Sequence, residues 1–384
     1  MTFGRWGEVG VLALARISMG AQLQVVGALG TLLIGGLVAD WAALGTLIGA
    51  YSLAGVFVAL PAGWLLARFG DRVVLLAGVG LMGLGGVLLA LAPDFAVALT
   101  GRLVSGVGGA LLTIAGAKMV LDRFAGPAVA LAMGMMLMAW PFGIGLALLV
   151  LPLLGTAWRT GLWLSAGFCG LAFLLVSLTV RGAGPQAASH RRMWLLRQEW
   201  RPLIALGVVW AGYNAAFAVA VGFAPAFLVA QGMTRAEAGA LASLIGFSIL
   251  PLQPWGGAIA ERLGRPMLVC VLCLLGMVGA LVLTAAGAPA WLTLPAFGLL
   301  AAAPSSLIMA FAGRALSAES RAFGMGVHYT LFYLGLALLP PFAGFVRDLT
   351  GVAAAPLLTA AGFLAVCVTA LGIYADAMRR RAAS

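Results

Sequence analysis

Two arginines, Arg16 and Arg102, stand inside long apolar runs, while every Asp and Glu of the chain falls at the end of a run or between runs. A guanidinium in hydrocarbon costs about 2.5–3.5 kcal/mol on insertion scales, so an intramembrane cation is a functional candidate by default. Its planar fork of donors suits a carboxylate or a small planar anion. Arg102 shares a helical face with Ser105, Gly106, Gly109 and Thr113, and Arg16 shares one with Gly20, Leu23 and Gly27, with Gln24 beside it. Small and polar neighbours point to a cavity or a close helix contact. The competing account of either cation is a snorkelled or structurally paired arginine, and it weighs more on Arg16, nearer the end of its run.

Trp210, Tyr213, Asn214 and Phe217 form one stripe, and Tyr329 and Tyr333 another. Such stripes line a pocket for a small polar or aromatic solute, or they pack helices. His328 can carry a coupling proton, or be no more than hydrogen-bonded. Cys270 and Cys273 have C-x-x-C spacing but lie mid-run without a second ligand pair, so no metal or other cofactor is expected. An enzyme would need a metal cluster, a nucleophile with its base, or an intramembrane acid pair, and the runs supply none. The chemistry on offer is binding.

The elements that must position these groups follow from composition. The 384 residues are 63% hydrophobic and 9% charged, against about 45–50% and 25% in a soluble domain. A bilayer accepts such surface where the backbone is satisfied internally. The runs fall near 9–35, 42–66, 73–92, 95–117, 128–153, 160–180, 203–229, 237–260, 267–287, 291–312, 323–345 and 353–375. Their length fits a spanning helix, so the spacing predicts an all-α polytopic membrane protein of about twelve transmembrane helices. Pro141, Pro251, Pro254, Pro304 and Pro340 interrupt the helices and free carbonyls, which suits gating bends.

The net charge of +11 could suggest nucleic acid, but the cations sit in short gaps instead of one patch. Counted alternately, one set of gaps holds most of them, Arg5, Arg68, Arg72, Arg123, Arg191, Arg192, Arg262, Arg265 and Arg379 to Arg381 included; the other holds only Arg159, Arg235 and Arg347. The positive-inside rule makes the first set cytoplasmic, with both termini inside. The basic stretch 181–201 divides the chain into a six-helix bundle over 1–180 and another over 202–384. Its segment Arg191-Arg192-Met-Trp194-Leu-Leu-Arg197 reads as a linker resting on headgroups.

The halves repeat. Gly63-Trp-Leu-Leu-Ala-Arg68-Phe-Gly70 lines up with Gly257-Ala-Ile-Ala-Glu261-Arg262-Leu-Gly264, and Met133-Gly134 and Gly143 with Met325-Gly326 and Gly335. Such repeats place a solute site at the half–half interface of many transporters. The first of these loops, with Asp71 and Arg72, resembles the G-x-x-x-D-R-x-G-R-K signature of the major facilitator superfamily. Ala67 stands where that family has its acid and Asp71 where it has a base; the second copy keeps the acid as Glu261 and ends on Arg265. Three passages are similar to the cyanate-permease and nitroimidazole-permease branch: Ala15-Arg16 to Gln22-Leu-Gln24, Trp140-Pro141-Phe-Gly143-Ile-Gly145, and Gly324-Met-Gly326 to Leu339-Pro340-Pro341. Arg102 to Gly108 also resembles the family's R-x-x-x-G-x-G.

The resemblance implies two pseudo-symmetric six-helix halves in the inner membrane. It implies rocker-switch uptake of a small, often anionic solute, with the charged loops as cytoplasmic latches and no partner beyond the solute, the bilayer and a coupling proton. A monomer is expected. The rival from the same family is proton-driven export of a drug or metabolite, for which Trp140-Pro141-Phe-Gly143 is a partial match and a buried acid is missing. A more remote rival is a membrane sensor that binds without transport.

Overall fold

The computed structural model describes residues 4–58, 61–124, 127–181, 195–317 and 320–383. The chain runs through α1 (Arg5–Ala28), α2 (Gly30–Leu33), α3 (Trp41–Val58), α4 (Ala62–Phe69), α5 (Asp71–Leu91), α6 (Phe95–Arg123), α7 (Pro127–Val150), a 3-10 turn (Leu151–Leu154) and α8 (Trp158–Thr179). It continues through α9 (Arg197–Ala230), α10 (Arg235–Ser248), α11 (Gly256–Arg262), α12 (Pro266–Ala285), α13 (Ala290–Ala315), α14 (Arg321–Thr350) and α15 (Ala355–Ala383). No named strand occurs among the described residues. The linker expected over 181–201 falls largely outside them, with Arg191 and Arg192.

Among the described residues eleven helices are long and apolar enough to cross a membrane. The eighth run, 237–260, is divided into α10 and α11 by a turn holding Pro251 and Pro254, whose missing N–H groups cannot continue the ladder. In the first half the run 42–66 holds α3, described as far as Val58, and α4, which begins at Ala62. Pro141, Pro304 and Pro340, in contrast, lie inside continuous α7, α13 and α14; the expectation that all five prolines interrupt helices holds for two. Local signals set other boundaries. The Asp94 carboxylate caps α6 by accepting from the Val97 N–H at 3.0 Å, and Thr234 with Glu237 forms a capping box on α10. Gly70 and Gly264 hold φ of 78° and 65° at equivalent tight turns, where a side chain would be strained.

The ends of the bundle differ. The end carrying Glu8, Arg123, Arg181, Glu199 and Arg381 is called the basic end below. There, in the first half, Glu8 of α1 pairs with Arg123 of α6 at 2.8 Å. In the second half, Glu199 of α9 accepts from the Ser317 N–H at 2.8 Å and the Ser320 hydroxyl at 3.0 Å. Each first helix thus fastens the end of the fourth within its own half. At the opposite end one apolar core crosses between the halves, joining Val25, Leu44 and Leu148 to Phe223, Phe227 and Ile245. Towards the basic end the first half keeps a separate core around Leu12, Leu75 and Leu112.

Three seams close the opposite end. On α3, Gly45 and Gly49 face α14: a Cβ on Gly45 would lie 2.8 Å from Pro341 Cα, and one on Gly49 would lie 3.1 Å from the Leu336 carbonyl oxygen. Pro340 and Pro341 lack the N–H groups that would bond the Leu336 and Ala337 carbonyls, so the freed oxygens stand against glycine backbone. Gly246 of α10 meets Pro141 and Gly145 of α7, and Gly27 of α1 meets Gly222 of α9. Asp348 of α14 accepts from the Trp41 and Ala42 N–H groups at 3.1 and 2.7 Å, capping α3 from the other half. The Arg347 guanidinium lies 3.4 Å from the Trp41 ring centre.

Candidate functional site

Arg16 sits midway along α1 on the face turned to the second half. Its Nη1 donates to the Thr113 hydroxyl of α6 at 3.0 Å, and its Nε has no hydrogen-bond partner among the described residues. It opens onto a cavity of about 260 Å³ between the halves, just below the 300–1,000 Å³ usual for ligand pockets and therefore fit for a small solute. From the first half the wall takes Met19, Tyr51, Thr113, Met133, Met136 and Trp140; from the second it takes Trp210, Tyr213, Asn214, Phe217, Gln253, Ser305, Tyr329 and Tyr333. Most of these come from the basic-end portions of their helices, where the shared core is lost.

Among the described lining residues Arg16 is the one formal charge. Around it, Tyr51 Oη, Trp210 Nε1 and Gln253 Oε1 are also buried polar atoms without a partner among the described residues. Buried polar groups in proteins are nearly always paired, so these groups, two from each half with Arg16 Nε, are suited to a bound polar solute. Trp210 also anchors a stack, with Tyr213 at 5.7 Å, Phe332 at 5.8 Å and His328 at 6.1 Å between ring centres.

The structure gathers Arg16, Trp210, Tyr213, Asn214, Tyr329 and Tyr333 at this wall, but two of these already hold a backbone carbonyl. The Tyr213 hydroxyl donates to the Ala301 carbonyl at 2.7 Å, and Asn214 Nδ2 donates to the Trp210 carbonyl at 2.8 Å. Arg102 is not on the wall, contrary to the sequence reading. It is 0% exposed, and its Nε, Nη1 and Nη2 donate to the carbonyls of Leu47, Gln22 and Leu23 at 2.8, 2.7 and 3.0 Å. With every nitrogen of the guanidinium engaged by backbone, it cross-links α1, α3 and α6. Gln24 is likewise off the wall, donating to the Val221 carbonyl of α9 at 2.8 Å. His328 lies behind Trp210, buried, with both ring nitrogens unpartnered among the described residues.

Among the described residues the charged loops do not reach across the halves. Glu261 pairs with Arg314 of its own half at 2.6 Å, not with Arg262 or Arg265, both exposed. Arg72 donates to the Ser177 carbonyl at 2.9 Å, Arg68 is exposed, and Asp71 is buried in the first turn of α5. Gly63 lies in α4, and Gly257 of α11 packs closely on Ser306. Charged groups paired within their own halves at the basic end accompany seams closed at the other.

Sequence reasoning missed Tyr51, Gln253 and the methionines. The available signals were the Tyr51-Ser52 pair, polar in an otherwise apolar run, and a glutamine set between two helix-breaking prolines.

The profile of the Major Facilitator Superfamily matches residues 12–338. A 2-nitroimidazole transporter of Escherichia coli (strain K12) is 30% identical over 242 residues, and the match spans 60% of this chain and 60% of that relative's length. Among solved structures, a peptide transporter POT in complex with sulfate has a TM-score of 0.79 at 15% identity, covering 98% of this chain and 97% of its own. A D-xylose-proton symporter has a TM-score of 0.72 at 16% identity, covering 93% and 96%. At such identity these two structures speak for the fold alone.

Proposed function

The chain belongs to the major facilitator superfamily, and from that premise we propose that it is a secondary active transporter of a small anion or small polar organic molecule. The observation that carries this reading is Arg16, the single charge on the described wall of a cavity between the halves. In low dielectric an unpaired cation favours an anion or a strong acceptor over a cation. The cavity's size supports a small solute, and its aromatic wall supports a planar one. The relative's 2-nitroimidazole, planar and rich in acceptors, is therefore a natural member of the test panel.

Alternating access follows in this reading from rocking of the halves. Closed seams at one end and separate cores at the other correspond to a state open at the basic end, and the charge pattern assigns that end to the cytoplasm of the inner membrane. Glu261, Asp71 and their neighbouring arginines would then engage across the halves in the opposite state. His328, behind Trp210, is proposed as the proton site if transport is coupled. A monomer suffices, since the site is built within one chain.

The deciding experiment is flux into reconstituted vesicles of nitrate, cyanate, benzoate, 2-nitroimidazole and benzylamine, with and without a pH gradient. Transport of an anion or of 2-nitroimidazole that is lost in Arg16→Gln supports the reading. Preference for benzylamine, or normal flux in Arg16→Gln, overturns it. A pH gradient that drives wild type but not His328→Gln would support His328 as the coupling site; outward pumping of the organic solutes would favour the exporter.

A further inference from the structure

Tyr51 is 4% exposed, stands on the cavity wall, and its hydroxyl has no partner among the described residues. Its place is fixed by two residues of α6. The Arg102 guanidinium lies 4.9 Å from the ring centre, and that guanidinium is itself anchored on the carbonyls of Gln22, Leu23 and Leu47, the last one helical turn before Tyr51. Two turns further along the same face of α6 stands Gly109, where a Cβ would stand 2.9 Å from Tyr51 Cζ. The glycine makes room for the phenol, and the arginine keeps the ring from turning away.

Gly109 also relates Tyr51 to Arg16. One turn further along α6 is Thr113, whose hydroxyl donates to the Gly109 carbonyl at 2.8 Å and accepts from Arg16 Nη1 at 3.0 Å. A helical turn rises about 5.4 Å, so the Tyr51 hydroxyl and the Arg16 guanidinium stand about a turn apart along one face of α6. One donor is neutral and one is charged, and Arg16 Nε and Tyr51 Oη both lack partners. A planar group with two acceptor oxygens can take one donor on each oxygen.

We propose that Tyr51 and Arg16 form a two-donor subsite for a carboxylate or nitro group of the solute, with Arg102 as the positioning residue of Tyr51. This rests on the cavity being the solute site. The test is binding of benzoate and benzylamine to the full chain in lipid nanodiscs, measured by titration calorimetry. Benzoate should bind and benzylamine should not. Tyr51→Phe should weaken benzoate about tenfold, the loss of one hydrogen bond to a charged acceptor.

Arg102→Lys should weaken it similarly, and the Tyr51→Phe/Arg102→Lys double variant should be no weaker than Tyr51→Phe, because one residue acts through the other. Gly109→Ala, which crowds the phenol from the same helix, gives the same cycle should Arg102→Lys not fold. Failure of benzoate to bind wild type, or an unchanged Kd in Tyr51→Phe, overturns the subsite; additive losses overturn the positioning role. Tyr51-dependent benzoate binding without flux of any panel solute would remove the transport reading and leave the subsite. Arg16-dependent flux with an unchanged Kd in Tyr51→Phe would do the reverse.

Discussion

Arg16 and Arg102 carry the same side chain and differ in what is left of its donors. Arg102 has all three guanidinium nitrogens on carbonyls of α1 and α3, whereas among the described residues Arg16 Nε has no partner and Nη1 bonds Thr113. Arg102→Gln is therefore expected to act first on stability, costing about 2–4 kcal/mol as charged hydrogen bonds are lost and lowering the unfolding temperature in detergent. Arg16→Gln should leave that temperature nearly unchanged and reduce anion flux at least tenfold. The sign of the buried charge was legible in the sequence, since it needs only the residue types within apolar runs. Which arginine faces the cavity was not, because both sit on faces of small residues and the deciding carbonyls belong to helices distant in sequence. Gln24 was misread for the same reason: its partner, Val221, lies in the other half.

At the scale of the helices, the spans were legible because length and hydropathy define them, and the split of the eighth was foreshadowed by Pro251 and Pro254. The behaviour of the other prolines was not. A proline removes an N–H, but whether the helix bends depends on what meets the freed carbonyl. In α14 the Leu336 and Ala337 oxygens meet Gly49 of α3, a contact in which a Cα–H group partly replaces the lost donors. Gly49→Val should hold α3 off α14 and cut flux by about tenfold or more while the protein still inserts, checked by flux at matched membrane content. The exposed Glu261–Arg314 pair belongs to the opposite category. Glu261→Gln should alter stability by less than about 1 kcal/mol, read from thermal unfolding, so any larger effect on flux would report on its engagement in another state.

For the whole molecule, the asymmetry between a closed end and a divided end gives a directional expectation. In a cysteine-free background, Ser305→Cys on the cavity wall should react with a bulky, membrane-impermeant maleimide supplied at the basic end. Asp348→Ala removes the carboxylate that caps α3 across the seam at 2.7 and 3.1 Å. It should favour opening at the far end and slow that labelling about tenfold, the shift expected from losing charged hydrogen bonds. Faster labelling in Asp348→Ala would contradict the latch. The seam itself has a further consequence for speed. Ordering a long side chain costs up to about 1.5–2 kcal/mol of rotamer entropy, and at Gly45 and Gly49 there is no side chain to order. In the proposed alternating-access cycle, re-forming the closed end would be timed there by the approach of rigid helices, with no search among rotamers to be repeated on every turn.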